Sequence, residues 1–354
     1  MKTTSLLLAL SIFVFVSSCK KDDNPAPETP KVTTGLYIMN EGNFNANEAM
    51  LTYYSFGDNK ATTDFYRNVN GNDLGGVGND ILLYGGKIYM VVNVSSYVQV
   101  ADAFTAKAIK KLEFKDGAVN RWPRYAVGYK NKVLVSSTDG TVAVIDTTTL
   151  NVDKWIKVGS NPEGLAVVGD RLYVANSGGY SATFDSTLSV VDLNTMAETQ
   201  KFKVGINPGF VTADNSGNIY VACGGNYDDV DPSLVKFSTA TNTVVKAADT
   251  AIGKIRYYDG LLYTTGGYYG SKNVRTLSTT DFKETRSNFV TDGTAIINPY
   301  GVNIDPETGD VYVTDAKNFL STGHVFCFDK NGKKKFDFSV APAVGPNTVV
   351  LIKQ

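Results

Sequence analysis

Three stretches decide the fold. Asn161-Pro162-Glu163-Gly164-Leu165 leads to Leu172-Tyr173-Val174-Ala175-Asn176. Asn207-Pro208-Gly209-Phe210-Val211 leads to Ile219-Tyr220-Val221-Ala222-Cys223. Asn298-Pro299-Tyr300-Gly301-Val302 leads to Val311-Tyr312-Val313-Thr314-Asp315. Each is an X-Pro turn, an apolar strand, a Gly/Asp/Asn turn and a second strand of the form [Leu/Ile/Val]-Tyr-[Val/Ile/Met/Thr]. Weaker copies centre on Ile88-Tyr89-Met90, Val133-Leu134-Val135 and Leu262-Tyr263-Thr264. A further copy, Leu36-Tyr37-Ile38, has no strand before it.

Each unit continues beyond its second strand. A third strand follows a loop, as in Val142-Ala143-Val144-Ile145-Asp146 and Leu188-Ser189-Val190-Val191-Asp192. A more polar fourth strand closes the unit, as in Thr199 to Val204. Turns such as Gly85-Gly86, Asp259-Gly260 and Asn215-Ser216-Gly217 supply the positive φ that hairpins need. A repeat of roughly 40–50 residues with four strands is the period of a β-propeller blade. The inner strands are expected to be buried on both faces, since they read as apolar runs rather than strict alternation. The ends set the count. The N-terminal unit lacks a first strand, and Pro346-Asn347-Thr348-Val349-Val350-Leu351-Ile352 is a first strand without a second. Joined, they complete one blade and remove two open sheet edges. The expectation is an all-β, seven-bladed β-propeller over residues 35–354. Six or eight blades would require one weak copy to be misread. The second and sixth copies depart from the pattern, so their strand boundaries are the least defined.

The Asn-Pro phrase followed by Tyr-Val-Ala-Asn or Tyr-Val-Thr-Asp resembles the YVTN-repeat propellers, over nearly the whole chain after its first residues. That resemblance implies the fold and leaves the activity open, because propellers host many functions.

The beginning of the chain is of another kind. Lys2 precedes an apolar run from Leu6 to Val16, shorter than the ~20 residues that span a bilayer. It fits the core of a secretory signal, residues 1–18. Ser17-Ser18-Cys19 resembles a bacterial lipobox, which implies lipidation at Cys19; the alternative is an ordinary signal cut near Ser18 with Cys19 incidental. Residues 19–34, with Lys20-Lys21-Asp22-Asp23 and three prolines, cannot build a core and read as a tether. Charges directly behind the cysteine resemble the surface-export signal of Bacteroidetes lipoproteins, or form a generic solvated linker. The expected location is the outer membrane, lipid-anchored and facing the exterior.

Composition narrows the function. Lys plus Arg number 34 against 35 Asp plus Glu, so no basic excess argues for nucleic acid. Cys223 and Cys327 sit in apolar strands without CxxC spacing and are expected as two buried thiols. With one histidine, His324, a nucleophile–histidine triad or a histidine metal cluster has a single possible member. It reads as a structural residue at the start of a third strand. A carboxylate pair for glycoside hydrolysis cannot be placed from sequence. Asn226 to Asp231 clusters oxygen ligands but lacks EF-hand spacing, and reads as a solvated acidic loop rather than a calcium site. The chain is expected to be no enzyme, with no cofactor and no resident metal.

The loops between second and third strands carry the functional signal. In a propeller they share one face with the connections between blades. Several present aromatic side chains among Gly, Ser and Asn, a composition suited to recognition. The expected ligand-binding residues are Phe44, Tyr97, Trp122, Arg124, Tyr180, Tyr227, Asp228, Tyr268, Tyr269 and Phe319. The alternative is that each aromatic pins its own loop. Together with the Cys-Lys-Lys-Asp-Asp start, these Tyr-rich repeats resemble the Bacteroidetes propellers that capture cobalamin. That resemblance implies a corrinoid ligand, a TonB-dependent outer-membrane transporter as partner, and Arg121, Arg124 or Arg256 as a contact for the corrinoid phosphate. The other classes kept open are a surface protein binding glycan or protein, and a hydrolase.

Overall fold

The computed structural model describes residues 32–44, 46–267 and 270–353. The signal segment, Cys19, the tether up to residue 31, Tyr268 and Tyr269 lie outside the described residues. Seven four-stranded antiparallel sheets are ringed as a propeller, six of them with their strands in chain order from the axis outward. The first blade joins the two ends of the chain: Pro346–Lys353 is innermost, followed by Thr33–Asn40, Met50–Ser55 and Lys60–Thr62. Its register sets Leu36 opposite Leu351, Tyr37 opposite Val350 and Ile38 opposite Val349. The shared blade expected from the missing and surplus strands is therefore present.

The second blade is Gly78–Tyr84, Lys87–Val92, Tyr97–Asp102 and Ala108–Glu113. The third is Pro123–Tyr129, Lys132–Ser137, Thr141–Asp146 and Val152–Lys157. The fourth is Pro162–Val168, Arg171–Asn176, Thr187–Asp192 and Ala197–Lys203. The fifth is Pro208–Ala213, Asn218–Cys223, Ser233–Ser238 and Thr243–Asp249. The sixth is Ile255–Tyr258, Leu261–Thr264, Arg275–Ser278 and Glu284–Arg286, and the seventh Pro299–Ile304, Val311–Asp315, His324–Phe328 and Lys334–Ser339. The sixth copy departs from the repeat because its strands are short. The second copy forms a regular blade despite its weaker sequence.

Burial corrects one expectation. The second strands are the apolar core, with Lys132–Ser137 and Asn218–Cys223 buried at every residue but the first. The innermost strands are only partly buried, as in Pro208–Ala213, because one side faces the axial channel. The core lies between adjacent blades: Ala166, Tyr173 and Val190 of the fourth meet Val211, Val221 and Phe237 of the fifth. Gly164 permits the close approach of two channel strands, since a Cβ there would lie 2.8 Å from the Gly209 carbonyl oxygen. Gly85-Gly86 and Asp259-Gly260 adopt the positive φ expected of hairpin turns.

A short helix, Phe65–Asn70, and a small hairpin, Lys115–Asp116 with Val119–Asn120, were not anticipated. The helix buries Tyr66 and sets the Phe65 ring 4.9 Å from Tyr53, sealing the joined blade against the second. Cys223 and Cys327 are buried free thiols, as expected, and burial pushes both up to about 12.

Candidate ligand-binding site

A cleft of about 420 Å³ opens on the face where the inter-blade connections and the second-to-third-strand loops meet. Its walls come from the third to sixth blades: Tyr180 and Phe184, Tyr227, Arg124 with Tyr125, Glu163, Phe210, and glycine backbone at 253, 266 and 267. That volume lies within the usual range for small-molecule sites.

The repeat phrase builds the walls. Asn161 and Asn207, each before the proline of a channel strand, hold φ of 44° and 57°. Asparagine tolerates that left-handed region better than most residues. Asn161 Oδ1 accepts from the Tyr180 N–H at 3.1 Å and the Ser181 hydroxyl at 2.9 Å, while its Nδ2 donates to the Thr138 carbonyl. Asn207 Nδ2 donates to the Tyr227 hydroxyl at 3.3 Å, and its carbonyl accepts from the Gly224 N–H. The same residue of two repeats thus fastens the two aromatic loops. Tyr180 and Tyr227 remain 66% and 52% exposed, and Phe184 meets Tyr227 edge-on at 5.7 Å.

Beneath the cleft runs a ring with one residue from each blade. Asn79, Arg124, Glu163, Gly209, Tyr300 and Asn347 are each second in their channel strand, and Lys254 directly precedes its own. The members bond across the axis. Arg124 Nε donates to Glu163 at 2.9 Å and its Nη1 to Asn79 Oδ1 at 2.6 Å. Asn347 Nδ2 donates to the Asn79 carbonyl, and Lys254 Nζ donates to the Asn347 carbonyl at 2.9 Å while lying 4.8 Å from the Tyr300 ring centre. The Tyr300 hydroxyl donates to Glu41 at 2.7 Å. Burial raises Glu163, opposed by Arg124. Burial pulls on Arg124 too, yet Glu163 holds it above its ordinary value. The ring has one gap. At Gly209 a Cβ would meet no atom within 4 Å, and Gly209 lines the cleft. The cleft opens over the one blade whose ring position has no side chain.

Of the expected site residues, the structure brings Arg124, Tyr180 and Tyr227 together around this cleft. Tyr268 and Tyr269 lie outside the described residues, although the adjacent Gly266 and Gly267 line it. Tyr97 belongs elsewhere: it is 6% exposed and donates its hydroxyl to the Leu74 carbonyl, because it opens a buried third strand rather than capping a loop. Asp228 is exposed in a self-satisfied turn, where Asn226 Oδ1 accepts from the Asp228 and Val230 N–H groups. Phe319 packs edge-on against Tyr300 at 5.0 Å, on the seventh blade. Phe44, in the first blade, and Trp122 are exposed but outside the cleft lining. The three arginines named for a phosphate are placed in three different surroundings. Arg124 is taken by Glu163, Arg121 is paired with Asp116 and Asp139 over the Trp155 ring, and Arg256 lies in the channel beyond the cleft floor.

Sequence reasoning missed Tyr125, Glu163, Asn207, Gly209 and Phe210. The signal was present: in five copies the ring residue directly follows the proline that starts the channel strand. His324 sits on the outer strands of the seventh blade, with Nε2 2.7 Å from Asp337, away from the cleft. Among the described residues, no three His, Cys, Asp or Glu side chains cluster as a metal site.

Fold and site define a seven-bladed propeller with an aromatic, ligand-sized cleft over a bonded polar ring. The chain belongs to the family DUF5074, a domain of unknown function, which it matches over residues 34–344. No curated protein matches it. Among solved structures it is similar to a quinonprotein alcohol dehydrogenase-like protein from Bacteroides thetaiotaomicron, at 14% identity and TM-score 0.68, covering 91% of this chain and 79% of that one. It is also similar to a hypothetical selenium-binding protein from Sulfolobus tokodaii, at 11% identity and TM-score 0.65, covering 92% and 94%. Hydrazine synthase of Kuenenia stuttgartiensis aligns at 18% identity and TM-score 0.59, over 70% and 74%. At these identities the likeness is one of fold.

Proposed function

We propose that the protein is a non-catalytic binding protein that captures a corrinoid, cobalamin, at the cleft over Gly209. The observation that carries this is the cleft itself, with exposed Tyr180 and Tyr227 on its rim, Phe184 and Phe210 inside, and glycine backbone opposite. Aromatic faces suit a broad apolar ring system, while Asn207, tyrosine hydroxyls and backbone groups suit peripheral amides. A volume of about 420 Å³ is too small to enclose a whole corrinoid. The cleft takes one edge of it, and the rest lies across the face. No uncompensated arginine among the described residues lines the cleft, so recognition rests on stacking and amide contacts rather than on the phosphate.

In this reading Cys19 carries a lipid that holds the propeller at the outer membrane, and a TonB-dependent transporter receives the ligand. The resemblance of the chain's start and repeats to cobalamin-capturing surface propellers supports both. The test is titration of the mature protein with cobalamin, followed by the visible absorption that protein lacks. Saturable binding that Gly209→Tyr abolishes without lowering the melting temperature is the expected result. A Cβ at 209 has open space and an unstrained backbone, so the substitution fills the cleft rather than distorting the strand. No binding by the parent protein sinks the cobalamin reading; binding that Gly209→Tyr leaves intact moves the site elsewhere.

A further inference from the structure

A second cavity of about 320 Å³ occupies the axial channel, lined by channel strands of six blades. Tyr125 and Phe210 line both cavities, and their rings meet edge-on at 5.8 Å, so one aromatic pair is the partition. The two cavities are chemically unlike. The lower one is lined by Arg256, Lys254, Asp80 and Thr348, with Ala126, Leu165, Ala166, Val167 and Val211 as apolar wall.

Its charges do not pair off. Among the described residues, neither Lys254 nor Arg256 lies within 4.0 Å of a carboxylate oxygen as an ion pair. Arg256 donates to the Ile255 carbonyl at 3.0 Å, which leaves most of its five N–H donors free. The single carboxylate of the cavity, Asp80, accepts from the Ala126 N–H at 3.0 Å and the Thr348 hydroxyl at 3.3 Å. Nearby acids are engaged: Glu41 accepts from Tyr300 and Asn347, and Glu163 from Arg124. Two cations thus face one carboxylate in a space walled by apolar side chains. Burial lowers Arg256 and pulls Lys254 down to about 8, against the attraction of Glu41 and Asp80. An uncompensated buried cation is costly, and a planar guanidinium with free donors suits a two-oxygen acceptor.

We propose that the channel below the Tyr125–Phe210 pair is a separate oxyanion site, in which the Arg256 fork and Lys254 take a phosphate or carboxylate group. The site is independent of what the upper cleft binds.

The test is calorimetric titration of the folded protein at pH 7 with inorganic phosphate and, in a second arm, with acetate. Saturable binding of one or both is expected, and which arm saturates identifies the preferred oxyanion. Arg256→Gln weakens it at least tenfold, Arg256→Lys weakens it less, and Tyr227→Ala leaves it unchanged. Should Arg256→Gln fail to fold, Arg256→Lys and Lys254→Met carry the same comparison, and phosphate should still raise the melting temperature of the parent. The proposal is overturned if the parent binds neither anion, if the Arg256 variants bind as tightly as the parent, or if Tyr227→Ala abolishes binding and so places the anion in the upper cleft.

Discussion

The two sides of the face that carries the second-to-third-strand loops both display aromatic side chains, and they sit over different ground. On the side of the fourth and fifth blades, Tyr180 and Tyr227 stand over a cleft whose floor opens at Gly209. On the side where the chain ends are joined, Phe44 is 72% exposed and Phe319 rests on Tyr300, above a packed network of Glu41, Tyr300 and Asn347. Exposure does not separate them: Tyr180 and Tyr227 are 66% and 52% exposed, Phe44 and Phe319 72% and 40%. What differs is the space beneath. A side chain at the ring position fills it under the joined blade, as Asn347, and leaves it open under the fifth, as glycine.

The largest effect is expected from removing the packed side. Deletion of Pro346 to Gln354 strips the innermost strand from the first blade and removes Asn347, which donates to Glu41, Gly78 and Asn79 and accepts from Lys254. The loss should exceed the ~5–15 kcal/mol that holds an ordinary domain together. A circular dichroism melt should show no cooperative transition; a truncated chain that melts like the parent refutes the closure.

Next in size is the floor of the cleft. Glu163→Ala leaves Arg124 buried without its partner and should cost about 3–5 kcal/mol in urea unfolding. Replacing both residues together, Arg124→Met with Glu163→Leu, should recover much of that loss. If Glu163→Ala alone is neutral, the pair contributes nothing to holding the ring.

The rim comes third. Tyr180→Ala and Tyr227→Ala should each weaken cobalamin binding by roughly thirtyfold, or ~2 kcal/mol, with little change in stability. Phe44→Ala and Phe319→Ala should leave affinity within about twofold of the parent, as expected of aromatics with no cleft below. Equal effects on both sides would mean that the ligand spans the whole face and that the cleft does not select.

The smallest effect is in pH. Lys254 keeps its proton only to about 8 in the folded protein, against 10.5 ordinarily. Between those values the unfolded chain binds more protons, so this residue makes stability rise with pH in that window. Tyrosines also titrate toward its upper end, so the measure is the difference between parent and Lys254→Met. The parent should gain on the variant as pH rises from about 8. A constant difference would mean that Lys254 is fully compensated.

The architecture was legible because propeller blades repeat one local pattern. Leu172-Tyr173-Val174 and Val311-Tyr312-Val313 are buried second strands whose apolar runs identify them without tertiary knowledge. The missing strand before Leu36 and the surplus strand at Pro346 gave the closure for the same reason. Tyr180 and Tyr227 were legible as loop aromatics, but so was Tyr97, which turned inward. A tyrosine beside Ser-Ser reads the same whether it caps a loop or opens a buried strand, since its hydroxyl finds water in one case and the Leu74 carbonyl in the other.

Sequence alone therefore determined the strands, the turns and the joined ends, each a property of neighbours along the chain. It also carried five of the seven ring residues, each directly after a proline, without saying what they meet. Only the closed structure decided that Arg124 is spent on Glu163, that Arg256 and Lys254 share a channel with one carboxylate, and that a glycine at 209 opens a cleft. Those outcomes depend on which blade stands beside or across from which, over sequence separations of about forty residues for Arg124 and Glu163 and more than ninety for Lys254 and Asn347. The physical reason is that charge pairing and empty space are set by distance across the axis, and no local pattern encodes that distance.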